Sequence, residues 1–388
     1  MNTPQHAFIE KLKTSFPALS SLPMEELVSE NMVSYFNVEL SSKILKQAQN
    51  FVRTIYSLRQ SQEYLNALAP EISNKNLKDP GNKSIMMSYD FHIDENENLR
   101  LIEVNTNAAF LLLGQQMYLS KNLPTPLPFD LTDIQKMILD ELHLQRKSIQ
   151  NPHIVITDHE PTEQRMYIEF MAYNELFKSW GWKSEVLDYK DIFKNNSPDF
   201  IYNRYTDFFL TDSSSQEMRK RFLDQSVCLS PNPFEYLLLA DKQRMIEWVS
   251  SDYMNQMPLS PEARELIKTV VPRCFELTES NASKAWEQRK KLFFKPKNAF
   301  GSKQSYKGAS ISRKNFDEIT GKDIIAQEYI PAPEATFATP QGEQKFKFDL
   351  RFYAYQDQIQ LVLARIYQGQ VTNLRTPFGG FAPVLFKD

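Results

Sequence analysis

"IMMSYDFHIDENENLRLIEVN", residues 85–105, reads as two apolar runs joined by a polar turn, the pattern of a β-hairpin. Side chains alternate faces along a strand. Glu103 and Asn105 therefore point the same way, and Asp90 on the partner strand can join them across the hairpin. Three hard oxygen donors then share one face. Such a set suits Mg2+, which takes one or two carboxylates and completes its shell with water and nucleotide phosphates. A solvated sheet edge is the competing reading of the same residues.

Upstream of the hairpin, residues 1–80 repeat apolar positions every three or four residues in "FIEKLKTSF", "LVSENMVSYFN" and "SKILKQAQNFVRTIYSLRQSQEYLNALA", with no strand-like alternation. This predicts a helical lead-in. Downstream, "HIVITD" (153–158) reads as a buried strand and residues 161–182 as a helix with Pro161 near its start and Gly181 at its end. "KSEVLDY" and "DFIYNR" read as further strands. Strand, helix, strand is a small parallel α/β unit. A helix over "YLLLADKQRMIEWVSS" (236–251) then leads to "LFFKPKNAFGSKQSYKGASI", to the strand "DIIAQEYI" and to a long hairpin, "KFDLRFYAYQDQIQLVLARIYQG". The fold class expected is a mixed α/β (α+β) one.

Composition narrows the function. The chain has 388 residues, 41% hydrophobic and 24% charged, and a net charge of −3, ordinary for a globular protein. No global field would draw nucleic acid or an anionic membrane, and no apolar run approaches the roughly 20 residues of a membrane span. Cys228 and Cys274 are too few for a disulfide framework or a zinc site, and the N-terminus lacks a signal-peptide layout, so the expectation is a cytoplasmic protein. The five histidines form no metal-spaced pair; His92 and His159 read as structural or surface groups.

Two further stretches carry chemistry. In "FFKPKNAFGSKQSYKG", Lys295 ends a strand, and a loop follows with Gly301, Ser302, Lys303, Ser305, Lys307 and Gly308, the backbone donors and positive charge that a phosphate cradle needs. A basic surface loop would look the same. Residues 326–330, including Gln327, Glu328, Tyr329 and Ile330, could read an adenine edge through their backbone, or form a plain buried strand. The terminal hairpin carries Asp349, Arg351 and Arg365, followed by Asn373, Arg375, Gly379 and Gly380. These could be solvent-facing salt bridges. They could equally offset the charge of a transferring phosphoryl group.

In order, Lys242 of "ADKQRM", Lys295 of "FFKPK", the loop to Gly308, "IIAQEYI", "DLRFYAY", "LARI" and "TNLRTPFGG" resemble the ATP-grasp superfamily of carboxylate–amine ligases. Ordinary members carry their D…E-x-N strand pair after the last of these motifs, whereas here it lies far upstream. The chain thus resembles the circularly permuted members, eukaryotic glutathione synthetases and glutathionylspermidine synthetases, over about residues 80–388. Two departures stand out. Those families place an arginine where this chain has Ser88, and glutathione synthetase supplies a metal-binding glutamate near Ala299; both argue against simple glutathione synthesis.

The resemblance implies a helical segment (1–80), a metal-ligand hairpin (81–127), a pre-ATP-grasp α/β substrate domain (128–235) and a nucleotide-binding domain (236–388). It implies ATP and Mg2+ as cofactors and small-molecule carboxylate and amine substrates, with a homodimer also expected. Lys242 and Lys295 would hold the α- and β-phosphates, and the loop residues, Gln327 to Ile330 and Asn373 the rest of the nucleotide. Asp90, Glu103 and Asn105 would bind the metal. Arg365 and Arg351 would be catalytic, with Arg204, Arg351 and Arg375 gripping the substrate. The alternative is an ATP-binding regulatory or scaffolding protein with weak turnover. The resemblance also predicts that the hairpin of residues 85–105 pairs into one antiparallel sheet with the hairpin of residues 346–367.

Overall fold

The computed structural model describes residues 3–194, 197–297, 305–370 and 372–388. Gly301, Ser302 and Lys303 of the expected phosphate loop, and Ala299, lie outside the described residues. The fold is mixed α/β (α+β), built on three sheets.

The N-terminal stretch is helical apart from one short strand, β1 (Val38–Ser41), which the sequence reading did not anticipate. Four residues are too few to show an alternating period, and β1 exists because it pairs in parallel with the last strand of the chain. Helix Ser42–Gln60 follows directly, with the Ser41 hydroxyl accepting the Lys43 amide at its start. Its buried stripe includes Ile44, Ala48, Phe51, Val52 and Ile55.

The hairpin of residues 85–105 is present as β2 (Met87–Ile93) and β3 (Leu99–Asn105). Asp90 pairs with Glu103 and Ser88 with Asn105, with a bulge just after Asp90. Next come β4 (His153–Asp158), β5 (Lys183–Asp188), β6 (Phe200–Asn203) and β7 (Cys228–Ser230), all parallel in the order β5-β4-β6-β7. The helix between β4 and β5 spans Tyr167–Ser179, shorter than the apolar period suggested, because a separate turn at Pro161–Glu163 precedes it.

A small antiparallel sheet has the order β10-β9-β11-β8, from β8 (Cys274–Glu276), β9 (Leu292–Pro296), β10 (Tyr306–Lys307) and β11 (Ile324–Glu328). The chain then returns as β12 (Glu334–Thr339), β13 (Gly342–Tyr355), β14 (Gln358–Tyr367) and β15 (Gly380–Lys387). Although residues 106 to 341 lie between the first hairpin and β13, β2 pairs antiparallel with β13, Arg351 standing opposite Asp90. The expected pairing of the two hairpins is therefore present. The seven-stranded sheet runs β1-β15-β14-β13-β2-β3, with β12 added on β13.

Helices cover both faces of this sheet. On one, Phe51 meets Tyr89 and Phe91 edge-on at 6.1 and 5.8 Å. On the other lies helix Leu111–Ser120, where a Cβ on Gly114 would stand 2.7 Å from the Leu363 side chain and the Tyr118 hydroxyl donates to Val362 O. The site sits where β2, β3, β13 and β14 face the small sheet. Three hydrogen bonds fix that approach: Lys295 Nζ to Ile102 O, Gln327 Nε2 to Leu101 O, and His92 Nδ1 with Ile330 O.

Candidate active site

A cavity of about 540 Å³ opens between the seven-stranded sheet and the small sheet. Asp90, Glu103, Asn105, Lys242, Lys295, Ser305, Gln327, Glu328, Tyr329, Ile330, Arg351, Arg365 and Asn373 all line it. Residues read separately from distant stretches of sequence thus meet at one place.

Its floor is a knot of buried charge. Asp90 takes Nε and Nη2 of Arg351 at 2.9 and 2.6 Å and Nη2 of Arg365 at 2.9 Å. Ser88 Oγ and Asn105 Nδ2 add two longer bonds, at 3.2 and 3.3 Å. Burial alone would raise the Asp90 carboxyl, but Arg351 and Arg365 outweigh it and hold it at about 2. Arg365 Nε also donates to Asp349 Oδ1 at 2.6 Å, and the Thr372 hydroxyl donates to the other oxygen of Asp349. The strand register dictates this, since Arg351 faces Asp90 and Arg365 faces Asp349 across the ladder.

Above the knot, Glu103 is 34% exposed to the cavity, with Lys242 Nζ 3.8 Å from its Oε2. Asn105 Nδ2 lies 3.5 Å from Glu103 Oε1. Lys295 is buried; burial and the neighbouring Lys242 push its ammonium down to about 8, against the pull of Glu103. Lys242 is not inside a helix as the sequence predicted. A π-helical turn over Tyr236–Ala240 ends at Asp241, whose extended ψ breaks the helix and whose carboxylate accepts the Gln243 amide before Gln243–Trp248 resumes.

Four sequence candidates stand off the cavity lining. Gly308 donates its amide to Leu292 O, and a Cβ there would lie 2.0 Å from Arg289 O, so the glycine permits a close backbone approach. Lys307 Nζ lies 4.3 Å over the Tyr329 ring, which does line the cavity. Arg375 is exposed. Arg204 directly follows β6, its guanidinium among Tyr202, Asp158 and Glu169, with Nε and Nη1 buried and without hydrogen-bond partners.

Conversely, Arg165, His92, Lys347 and Thr372 line the cavity; Lys347 and Thr372 stand at the start of quoted stretches, but sequence reasoning singled out none of the four as a site residue. Arg165 Nη2 donates to Leu374 O at 2.9 Å, tying the parallel unit to the loop that precedes β15. Among the described residues, no group of three or more His, Cys, Asp and Glu side chains is arranged to hold a metal ion, and no helix is long and apolar enough to cross a membrane.

No protein-family model and no curated protein matches the chain. Among solved structures, one from Methylobacillus flagellatus KT, described with a provisional assignment as a gamma-glutamylcysteine synthetase, aligns over 84% of this chain and 85% of its own. The identity is 11% and the TM-score 0.42. At that distance it identifies neither a shared fold nor a shared reaction.

Proposed function

We propose that this chain is an ATP-dependent carboxylate–amine ligase of the circularly permuted ATP-grasp type, forming an amide or peptide-like bond through an acyl phosphate. The observation that carries the reading is the convergence of Glu103, Asn105, Lys242, Lys295, Arg351 and Arg365 on one cavity, through the pairing of β2 with β13. That pairing also supports grouping residues 81–127 with residues 236–388 in one catalytic core, beside the substrate unit of residues 128–235.

The donor set fits a magnesium nucleotide. Glu103 offers an accessible carboxylate, Asn105 an amide oxygen, and Lys242 and Lys295 two cations placed for phosphates. Bound magnesium would supply charge neutralisation at the β- and γ-phosphates. In the reaction, a substrate carboxylate oxygen attacks the γ-phosphorus and ADP departs; an amine nitrogen then attacks the acyl carbon, loses its proton, and phosphate leaves. No enzyme nucleophile is needed. Arg365 and Arg351 stabilise charge on the transferring phosphoryl and the acyl centre. Residues 327–330 hold the adenine end, where Phe293 and Tyr329 place two rings with centroids 6.5 Å apart. Arg204, with unsatisfied donors at the C-terminal end of a parallel strand, is the proposed grip for the substrate carboxylate, with the exposed Arg375 as a second candidate.

Phosphate release from ATP and magnesium, measured with a pool of amino acids and amines, tests the reading, and mass spectrometry of the products names the substrates. Release that requires both a carboxylate and an amine is expected. Nucleotide binding without release under any pool would favour a regulatory ATP-binding protein instead.

A further inference from the structure

Asp90 and Glu103 pair across one hairpin, yet their surroundings differ. Glu103 is 34% exposed, and its near neighbours are one lysine at 3.8 Å and one amide at 3.5 Å. Asp90 is 1% exposed, and both its oxygens already accept from guanidinium groups. Oδ1 takes Arg351 Nε and Ser88 Oγ, while Oδ2 takes Arg351 Nη2, Arg365 Nη2 and Asn105 Nδ2. A carboxylate has about four lone-pair sites, and these five donors leave none open.

We infer that Asp90 does not ligate the metal: it is the positioning residue that clamps Arg351 and Arg365, and Glu103 with Asn105 forms the metal-holding pair. The inference rests on the ligase reading above. Three observations carry it. To reach a cation, Asp90 would have to release the bidentate Arg351 and strand a buried guanidinium, which is strongly unfavourable. Second, the clamp leaves one terminal nitrogen, Nη1, on each arginine without a hydrogen-bond partner among the described residues, and both arginines line the cavity. Third, Asn105 turns its Nδ2 toward the two carboxylates, so its Oδ1, the atom a magnesium takes, accepts no hydrogen bond among the described residues. Ser88 belongs to the same device. Where the resembling families have an arginine, a small hydroxyl donates to Asp90, and Arg351 and Arg365 reach the carboxylate from β13 and β14 instead.

The test uses Mn2+ with ATP, read by electron paramagnetic resonance, in the full chain. The key variant is the charge-neutral double substitution Asp90→Asn with Arg351→Gln, which removes both partners and so leaves no stranded charge between them. Its Mn2+·ATP affinity should stay within about threefold of wild type, while phosphate release falls on the order of a hundredfold; Glu103→Gln should weaken Mn2+ at least about tenfold. Circular dichroism confirms that each variant is folded. If the double variant does not fold, a crystal structure of the wild type with Mn2+ and a non-hydrolysable ATP analogue decides the question by whether Asp90 keeps Arg351 or coordinates the ion. Loss of Mn2+ in the folded double variant to the level of Glu103→Gln would overturn the clamp and leave the ligase reading intact. A wild type that does not bind Mn2+·ATP would overturn both.

Discussion

Two sheets of this protein hold buried charge in opposite ways. On the seven-stranded sheet, Asp90, Asp349, Arg351 and Arg365 satisfy one another across three adjacent strands. At the C-terminal end of the parallel sheet, Arg204 keeps Nε and Nη1 without partners, and Glu169 keeps Oε1 without one although it is 1% exposed. Buried polar atoms are nearly always bonded, so an unbonded pair needs a reason. The carboxylates of the first group are fully bonded before any ligand arrives, and each arginine is held by two of its nitrogens. The second has unused valence, as expected where a substrate supplies the missing bonds.

Breaking the first group should have the largest effect. Asp90→Ala strands the buried Arg351 guanidinium and leaves Arg365 with Asp349 alone, and should destabilise the fold by about 3–5 kcal/mol, read by chemical denaturation. A loss under about 1 kcal/mol would mean that the knot is solvated and the contrast between the sheets is false. Next in size is Lys295→Ala, which should weaken ATP binding by about 1.5–3 kcal/mol, the scale of a charge-assisted bond, seen as a reduced thermal shift with ATP and magnesium. Unchanged nucleotide stabilisation would return Lys295 to a purely structural part, bonding Ile102 O.

Arg204→Met should change the stability of the free protein by about 1 kcal/mol or less, since a partly unsatisfied guanidinium is replaced by apolar bulk. It should nevertheless raise the concentration of carboxylate needed for half-maximal phosphate release. A large stability loss with unchanged substrate dependence would make Arg204 a structural residue.

A further effect concerns pH. Burial pushes the Glu169 carboxyl up to about 7, opposed by the amide of Phe110, which donates to it at 2.7 Å, and by Arg204. Because the folded state holds this proton while the unfolded chain releases it near pH 4.5, Glu169 favours folding below that pH. That contribution declines as pH rises toward 7. Glu169→Gln should flatten the decline, and an unaltered pH–stability profile would show that Glu169 is ionised throughout.

Much of this was legible in the sequence for local reasons. The alternation of the first hairpin placed Asp90, Glu103 and Asn105 on one face without any tertiary information, and the ordered motifs from Lys242 onward brought the partner strands. What escaped depends on distant pairing. β1 is a strand only because β15 offers an edge, and Arg165 reaches the cavity only because its unit leans on the loop at Leu374. The break at Asp241 that takes Lys242 out of the helix lay inside a convincing helical period, which one side-chain-to-amide bond interrupts. The saturation of Asp90 was likewise invisible, since it needs the register of β2 on β13 and of β13 on β14.

The most direct test of carboxylate activation follows the oxygen. With ATP, magnesium and a pool of amino acids and dicarboxylates labelled with 18O in their carboxyl groups, an acyl phosphate must carry one labelled oxygen into the released phosphate. The ligase reading predicts that transfer in the wild type and a fall on the order of a hundredfold or more in Glu103→Gln, which keeps the shape of the side chain but removes the charge that holds the metal. Released phosphate that carries oxygen only from water, or Glu103→Gln turning over at the wild-type rate in low magnesium, would contradict it.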